Sequence, residues 1–226
     1  MKGELISFSG NGNQFSGYLS KPPERGPAVI VLQEWRGLVG HITDVADRFA
    51  AEGFVALAPD LFGGENTTDP DIAGSLMMAL NIHETEKALS GAVDALLQEP
   101  NCLGEKVGVV GFCMGGQLAL FAAATNQKIG ACVNFYGIHP SVEPSFEKLK
   151  CPVMGVFAEH DAYASTSAVE ALGIELERNQ IEYDFKTYPG THHAFFNDQR
   201  PEVYDKYASA DAWQRTINFF RNNLIL

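Results

Sequence analysis

The sequence predicts an α/β protein with a mainly parallel central sheet and helices on both faces. Short apolar runs rich in β-branched residues alternate along the chain with helical patterns, which is the signature of such a sheet. The runs are almost continuously apolar, as in strands that helices cover on both sides. A length of 226 residues with 46% apolar content suits one core, so we expect a single domain over residues 1–226.

The elements follow from these patterns. Residues 4–9 and 14–20 form a predicted hairpin around a Gly-Asn turn. In the first helix, Ile42, Val45 and Phe49 fall on one stripe, and Gly53 ends the pattern. The strand predictions are 28–33, 55–58, 107–111, 131–136, 153–157 and 181–188, and the helix predictions are 41–52, 82–98, 114–127, 165–179 and 202–224.

Residues 61–80 fit neither element well. The segment opens with two glycines, continues through a polar stretch and ends with Leu76-Met77-Met78. It lies between a strand and a helix, where loops often carry function. Two interpretations remain open: a lid at the edge of a pocket, or an ordinary connection whose methionines reach the core.

Charge and targeting signals limit the classes of partner. The formal charge is -12, from 16 basic and 28 acidic residues, and this disfavours nucleic acid and anionic membranes, which attract positive surfaces. The first 20 residues lack the basic start and apolar run of a signal peptide, and no run of about 18 apolar residues occurs. We expect a cytoplasmic monomer or small homo-oligomer that binds a small molecule.

Four cysteines, at Cys102, Cys113, Cys132 and Cys151, occur without CxxC spacing, so we expect reduced thiols. Cys132 and Cys151 lie in apolar runs and are expected to be small core residues. Cys113 has a different context.

Cys113 lies at the tip of a predicted strand-to-helix turn. An apolar strand enters Gly111-Phe112-Cys113-Met114-Gly115, and a helix follows, which is the context of a nucleophile elbow. Small residues two places before and after the tip let the chain reverse sharply. The helix N-terminus favours the reactive thiolate. Cys113 is therefore a candidate nucleophile, and the alternative is a glycine-rich turn with an incidental cysteine.

An acid and a histidine should follow such a nucleophile, each after a later strand. The strand at 153–157 leads into a loop with Glu159 and Asp161, and the strand at 181–188 leads to His192 and His193. We favour Asp161 because it lies deeper in the loop and has the commoner side chain for orienting a histidine. We favour His193 because it directly precedes Ala-Phe. The predicted triad is Cys113, Asp161 and His193.

A metal site is the competing interpretation of the same loops, because His160, Asp161, His192 and His193 carry suitable ligand atoms. Adjacent histidines project in different directions, however, and the HExxH pattern is missing. We therefore expect no metal and no organic cofactor. The remaining histidines, His41, His83 and His139, are expected on the surface.

Five motifs together resemble one family. They are Val31-Leu32-Gln33-Glu34-Trp35, Ala58-Pro59-Asp60-Leu61, Gly111-Phe112-Cys113-Met114-Gly115-Gly116, Asp161, and His193-Ala194-Phe195. With them the chain resembles, over nearly its whole length, the dienelactone hydrolases, which carry a Cys-His-Asp triad on one α/β-hydrolase domain. The resemblance implies cleavage of an ester or lactone through an acyl thioester.

The resemblance also implies roles for three residues near the nucleophile. Glu34 would touch the Cys113 thiol and hold it in a resting form until substrate arrives. The backbone N–H groups of Met114 and Trp35 would form the oxyanion hole. For Glu34, pairing with Arg36 at the mouth of the cleft is the alternative.

The chain departs from the family where substrate carboxylates are bound. Of the two arginines that well-known members use, neither is matched: residues 61–86 contain no Arg or Lys, and Asn197 stands four places after His193. Arg36 or Arg200 would have to substitute, and Arg36 and Phe195 are the candidate substrate-binding residues. A general carboxylesterase or thioesterase is one alternative function. A non-hydrolytic ligand-binding or redox-responsive protein on the same fold is another.

Overall fold

The computed structural model describes residues 2–224, which form one eight-stranded sheet in the order β1-β2-β4-β3-β5-β6-β7-β8. The strands are β1 Glu4–Gly10, β2 Asn13–Ser20, β3 Gly26–Leu32, β4 Val55–Pro59, β5 Cys102–Phe112, β6 Ile129–Phe135, β7 Val153–His160 and β8 Tyr183–His192. The helices are α1 Gly40–Ala51, α2 Pro70–Met78, α3 Ile82–Gln98, α4 Met114–Thr125, α5 Thr166–Arg178 and α6 Lys206–Leu224, with a short 3₁₀ turn at Phe146–Lys148.

The sheet is mainly parallel, as predicted. β1 and β2 form an antiparallel hairpin, and β2 pairs antiparallel with β4. Every pairing from β4 through β3 to β8 is parallel. The hairpin turns at Asn11 and Gly12, whose φ angles of 47° and 86° suit the right-handed twist of the strands. Parallel pairing brings the carboxyl ends of β3 to β8 to one edge of the sheet, where α/β proteins bind ligands.

The helices cover both faces, which confirms the predicted layers. Leu89 of α3, Leu118 of α4 and Leu176 of α5 lie in one buried cluster. Phe49 of α1 and Phe220 of α6 lie in the other. Alternate residues of each strand lie in one cluster or the other, because successive side chains of a strand point to opposite faces. Cys132 and Cys151 are both buried, as expected. Within residues 2–224, no helix combines the length and apolarity needed to cross a bilayer.

Three boundaries differ from the sequence-based prediction by four or more residues, and one of them is the end of β8, at His192 rather than at residue 188. The last helix begins at Lys206 rather than at residue 202, because the Asp205 carboxylate accepts the N–H groups of Tyr207 and Ala208 and fixes the start there. The fifth strand begins five residues earlier than its apolar run, at Cys102, which pairs with Gly26 of β3.

The segment 61–80 contains a helix that its pattern did not predict. Asp69 caps α2 by accepting the N–H groups of Asp71 and Ile72, and Pro70 occupies its first turn. Met77 packs against the core, whereas Met78 is 58% exposed. One methionine therefore reaches the core, as the second interpretation of this segment expected, and the other does not.

Candidate active site

Cys113 lies between the end of β5 and the start of α4, with φ of 53° and ψ of -120°. This is a strained conformation for a residue with a side chain, and such strain costs about 1–3 kcal/mol. The backbone of the segment after β6 holds Cys113 in place. The Cys113 N–H donates to the Phe135 carbonyl at 3.0 Å, and the Ile138 N–H donates to the Cys113 carbonyl at 3.2 Å.

The two glycines of the elbow are required by close approach of the backbone. A Cβ atom on Gly111 would lie 1.8 Å from the Gly115 carbonyl oxygen. A Cβ atom on Gly115 would lie 2.6 Å from the carbonyl oxygens of both Leu32 and Gln33. The nucleophile turn is thus packed directly on the end of β3, which carries the candidate residues Glu34 and Trp35.

The structure brings Asp161 and His193 together. His193 Nδ1 lies 2.7 Å from Asp161 Oδ2, and the Asp161 side chain is fully buried. The other carboxylate oxygen accepts the N–H groups of Tyr163 and Ala164 at 2.8 and 2.9 Å. Three hydrogen bonds thus fix the carboxylate, and one of them fixes the imidazole.

These contacts shift the pKa of both groups. Burial works to lower the pKa of His193, but its hydrogen bond with Asp161 and its interaction with Cys113 outweigh burial and raise that pKa to about 10. Burial works to raise the pKa of Asp161, but the hydrogen bond with His193 and the two backbone N–H groups leave it below its ordinary value. The pKa of His193 therefore depends on both of the other residues of the predicted triad, Asp161 and Cys113.

The rejected alternatives in the same loops make other contacts. His192 is exposed, and its ring centroid lies 5.3 Å from that of His160. Glu159 accepts the Gly190 N–H at 2.7 Å and does not reach His193. Across residues 2–224, no three His, Cys, Asp or Glu side chains form a group able to hold a metal ion.

Two backbone N–H groups near the nucleophile have no acceptor. In the described part of the chain, neither the Met114 N–H nor the Trp35 N–H donates a hydrogen bond to protein. Met114 is the first residue of α4, where helical N–H groups are unsatisfied. Trp35 follows β3, on which the elbow is packed.

Glu34 is buried and contacts Asn197. Its Oε2 accepts the Asn197 amide at 3.0 Å, while its Oε1 is buried without a hydrogen-bond partner among the described residues. The alternative pairing of Glu34 with Arg36 is therefore wrong. Asn197, which sequence reasoning noted only as a missing arginine, is the residue that binds this carboxylate.

The candidate substrate-binding residues Arg36 and Phe195 have other contacts. Arg36 donates from its guanidinium to the Thr68 carbonyl, and its own carbonyl accepts the Thr67 N–H at 3.1 Å. It therefore holds the segment 61–80. The expectation for Phe195 is wrong in this conformation, because its ring is fully buried against Tyr136 and Tyr188. A side chain without accessible surface does not line a cleft.

His41 and His139 are buried, which corrects the expected surface positions, whereas His83 is exposed as predicted. His41 lies in the first turn of α1 and packs its ring against Phe112 and Phe196. His139 Nε2 lies 3.2 Å from the Met77 carbonyl. Burial lowers the pKa of both histidines, so both are neutral near pH 7.

Sequence reasoning missed two tyrosines beside the predicted base. The ring centroids of Tyr136 and Tyr163 lie 5.0 and 5.1 Å from that of His193. Tyr136 is fully buried, and Tyr163 is 61% exposed. Their positions carried a signal, because each follows a parallel strand at the edge where Cys113 and His193 were already predicted.

Comparison with known proteins bears on the family and the fold of the chain. Residues 15–224 match the model of the dienelactone hydrolase family. "Protein usf" of Aquifex pyrophilus is 37% identical over 98% of this chain and 99% of its own length. "Carboxymethylenebutenolidase homolog" of Rattus norvegicus is 30% identical over 88% of this chain and 85% of its own. A solved structure named "m3DLH" superimposes with a TM-score of 0.88 at 25% identity, covering 99% of this chain and 98% of that one.

A family match over almost the entire chain, the mainly parallel sheet and the motifs at its carboxyl edge all lead to one assignment. The chain belongs to the dienelactone hydrolase family and is an α/β-hydrolase-fold hydrolase of ester or lactone bonds.

Proposed function

We propose that the protein hydrolyses a small ester or lactone through a triad of Cys113, His193 and Asp161, with an acyl thioester as intermediate. The observation that carries this proposal is the 2.7 Å contact between His193 and Asp161 at a histidine that also interacts with Cys113 at the elbow. A nucleophile, a base and a residue that orients the base are the parts that this chemistry needs.

In the first half of the reaction, Cys113 attacks the acyl carbonyl carbon as a thiolate, and His193 holds the proton that left the sulfur. A bond forms between Sγ and the carbonyl carbon, and the carbon–oxygen bond to the leaving alkoxide breaks. His193 gives its proton to that alkoxide. With a lactone, the resulting alcohol stays attached to the acyl group.

In the second half, water attacks the thioester carbonyl while His193 takes a proton from the water. The carbon–sulfur bond breaks, and the products are a carboxylic acid and the Cys113 thiolate paired with protonated His193. Asp161 holds the ring so that Nδ1 faces the carboxylate and Nε2 remains available for these transfers. The chain's own residues supply every step.

The N–H groups of Met114 and Trp35 are the proposed oxyanion hole. Both are free of acceptors in the described part of the chain. One such donor typically contributes about 2.7–4 kcal/mol to stabilisation of the transition state. The packing of Gly115 against the Leu32 and Gln33 carbonyls supports this role, because it holds the start of α4 next to the end of β3.

The contacts favour a substrate with a neutral acyl group. Such a substrate is compatible with a general carboxylesterase as well as with a lactone hydrolase. Arg36 is engaged with the Thr68 carbonyl, and Arg200 Nε lies 2.9 Å from Glu202. Asn197 is bound to Glu34. Neither Arg36 nor Arg200 is therefore held ready for a substrate carboxylate.

The test combines turnover with trapping. Wild-type protein should hydrolyse a small activated aryl ester or lactone, and mass spectrometry of the quenched reaction should find the acyl group on the peptide that contains Cys113. Cys113→Ala should lose both activities, while Cys132→Ala, which removes a buried thiol, should keep them. Equal turnover in wild type and Cys113→Ala would contradict the proposed nucleophile, and absence of turnover on a broad panel would favour a binding protein.

A further inference from the structure

His139 is a buried histidine that takes no part in the proposed reaction, and both of its ring nitrogens have partners. Its Nδ1 accepts the Ser141 N–H at 3.1 Å, and its Nε2 lies 3.2 Å from the Met77 carbonyl oxygen. Burial lowers the pKa of His139, so the ring is neutral near pH 7 and carries one hydrogen. Because Nδ1 is an acceptor, that hydrogen is on Nε2, which donates to Met77. The ring therefore joins the loop after β6 to the C-terminal end of α2.

The loop that carries His139 is itself attached to the nucleophile turn. The Ile138 N–H donates to the Cys113 carbonyl, and the Val142 N–H donates to the His139 carbonyl at 3.3 Å. The Gln117 side chain of α4 donates to the Val142 carbonyl at 2.9 Å. The backbone on both sides of His139 is thus bound to the turn or to the helix that follows it.

The N-terminal side of α2 is attached to the loop after β3. The Thr67 N–H donates to the Arg36 carbonyl at 3.1 Å, and the Arg36 guanidinium donates to the Thr68 carbonyl. Within the helix, Gly74 lies against the Trp35 ring, which a Cβ atom on Gly74 would approach to 3.8 Å. The segment is therefore bound to two loops, one after β3 and one after β6.

These two loops lie on either side of the nucleophile. β5, which ends next to Cys113, lies between β3 and β6 in the sheet. Two strand spacings separate β3 from β6, or about 10 Å, and a helix of nine residues is about 13 Å long. α2 is therefore long enough to join the two loops, and a helix that joins them passes the end of β5.

The middle of α2 is packed loosely. Ala73 is the buried residue of this helix, whereas Ile72 and Met78 are 52% and 58% exposed. An element with few buried apolar contacts opens at a low cost in free energy. A single hydrogen bond, such as the one from His139 to Met77, is then a substantial part of what keeps the element closed.

We infer that α2 is a lid over Cys113 and that His139 is the positioning residue that holds it closed, which limits the size of the acyl group that reaches the sulfur. The inference rests on the proposed role of Cys113 as the nucleophile. The Cys113 side chain is half-buried, so a small ester reaches it under the closed lid. A bulky ester requires the lid to open, which breaks the hydrogen bond between His139 and Met77. The histidine thus selects among esters without touching them.

The experiment compares wild type, His139→Ala, His139→Gln and His83→Ala. Glutamine keeps an N–H donor for the Met77 carbonyl, and alanine removes it. His83 is an exposed histidine of α3 and gives the matched control. Alkylation of Cys113 by iodoacetamide and by a bulky pyrene maleimide is followed by peptide mass spectrometry, because the two reagents differ in size and react with the same sulfur. Hydrogen exchange of residues 70–80 reports opening of the lid directly.

In His139→Ala, the alkylation rate with the maleimide, relative to that with iodoacetamide, should rise about fivefold, as expected when opening no longer breaks a hydrogen bond. Hydrogen exchange of residues 70–80 should accelerate by a similar factor, while that of the central strands should not change. The ratio of kcat/KM for an aryl octanoate to that for the aryl acetate should rise in parallel, mainly through a lower KM for the octanoate, because the open form is more populated. His139→Gln should lie between wild type and His139→Ala, and His83→Ala should match wild type.

Unchanged ratios in a folded His139→Ala would overturn the inference. A lower melting temperature with wild-type ratios would assign His139 a structural role only, which overturns it too. If His139→Gln changes as much as His139→Ala, the hydrogen bond to Met77 does not hold the lid, and the inference fails. The alkylation and exchange measurements need no turnover. A wild-type protein that is alkylated at Cys113 but hydrolyses no ester would therefore refute the proposed function, while these two measurements still decide whether His139 controls access to the sulfur.

Discussion

His192 and His193 are neighbours at the end of β8 with different surroundings. His193 contacts the buried Asp161 carboxylate, and His192 is exposed beside His160. We predict that His193→Ala lowers kcat/KM for an activated ester about 100-fold to 10,000-fold, the usual contribution of a general base. His192→Ala is the matched control and should stay within a few-fold of wild type. Equal losses in two folded variants would refute the assignment of the base.

The second prediction at the residue scale concerns the effect of the Glu34 carboxylate on the reactivity of Cys113. The family resemblance implies that the Glu34 carboxylate lies near the nucleophile, where it would oppose formation of the thiolate, so Glu34→Gln should make Cys113 easier to oxidise. We expect inactivation by peroxide to become about tenfold faster, which corresponds to about 1.4 kcal/mol of relieved repulsion. Ester turnover should become slower if the carboxylate also helps to rearrange the thiol when substrate binds.

The measurement for Glu34 is the rate of peroxide inactivation and of ester hydrolysis across pH, in wild type, Glu34→Gln and Asn197→Ala. The third protein keeps the carboxylate but removes the amide that holds it. It separates the charge of Glu34 from its orientation. Wild-type behaviour of Glu34→Gln in both assays would mean that the carboxylate has no influence on the thiol.

At the scale of elements, replacing glycine by alanine should lower the melting temperature in the elbow and should not lower it in α2. Gly115→Ala would place a Cβ atom 2.6 Å from two carbonyl oxygens of the β3 end, so we expect loss of activity and a lower melting temperature. Gly74→Ala would place its Cβ 3.8 Å from the Trp35 ring, an ordinary contact, within a helix. Alanine is favoured over glycine in a helix by about 0.5–1 kcal/mol.

Thermal unfolding followed by circular dichroism tests this pair. Gly74→Ala should unfold at or above the wild-type temperature and retain esterase activity if α2 stays in place during turnover. A stable but slow Gly74→Ala would instead indicate that α2 must loosen, which is what a lid requires. A fully active Gly115→Ala would contradict the close packing of the elbow.

Sequence patterns predicted most of the elements, because buried parallel strands leave continuous apolar runs and their helices leave apolar stripes. They missed α2, because only Ala73 of that helix is buried and the apolar stripe is therefore weak. The signal for α2 was the pair Asp69-Pro70, a cap followed by a proline at the first position. The extension of β5 to Cys102 also left no apolar pattern, because residues 103–106 are exposed.

Some features of the candidate site could likewise be predicted from the sequence and others could not. The order of nucleophile, acid and base was readable because each follows a strand whose position the fold determines. The contact of Glu34 with Asn197 was not readable, because the two residues are 163 positions apart and meet only through tertiary packing. The burial of His41 was hidden for a similar reason, since a histidine in the first turn of a helix gives no sign of which face it occupies.

For the whole molecule, the net charge and the contacts of Arg36 and Arg200 with other protein groups predict a neutral substrate. A net charge of -12 repels anions over distances of several ångströms. We predict that a neutral aryl butyrate is hydrolysed with kcat/KM at least equal to that of the aryl hemisuccinate, which differs by a terminal carboxylate. The hemisuccinate rate should rise with ionic strength as repulsion is screened, while the butyrate rate should not.

Steady-state kinetics at low and moderate salt measure both rates. A strict requirement for the anionic ester, abolished in Arg36→Ala, would reverse the prediction. It would mean that Arg36 leaves the Thr68 carbonyl and binds the substrate's carboxylate instead.

The unfavourable backbone angles of Cys113 lower the stability of the fold while they serve the proposed activity. Glycine adopts positive φ without strain, so Cys113→Gly should relieve about 1–3 kcal/mol and give back up to about 1 kcal/mol through the freer unfolded chain. We predict that Cys113→Gly unfolds at a higher denaturant concentration than Cys113→Ala, which lacks the thiol but keeps the strain. If the two inactive proteins unfold together, the turn is relaxed. If Cys113→Gly is the more stable, the molecule gives up part of its resistance to unfolding for as long as it carries a reactive sulfur at that turn.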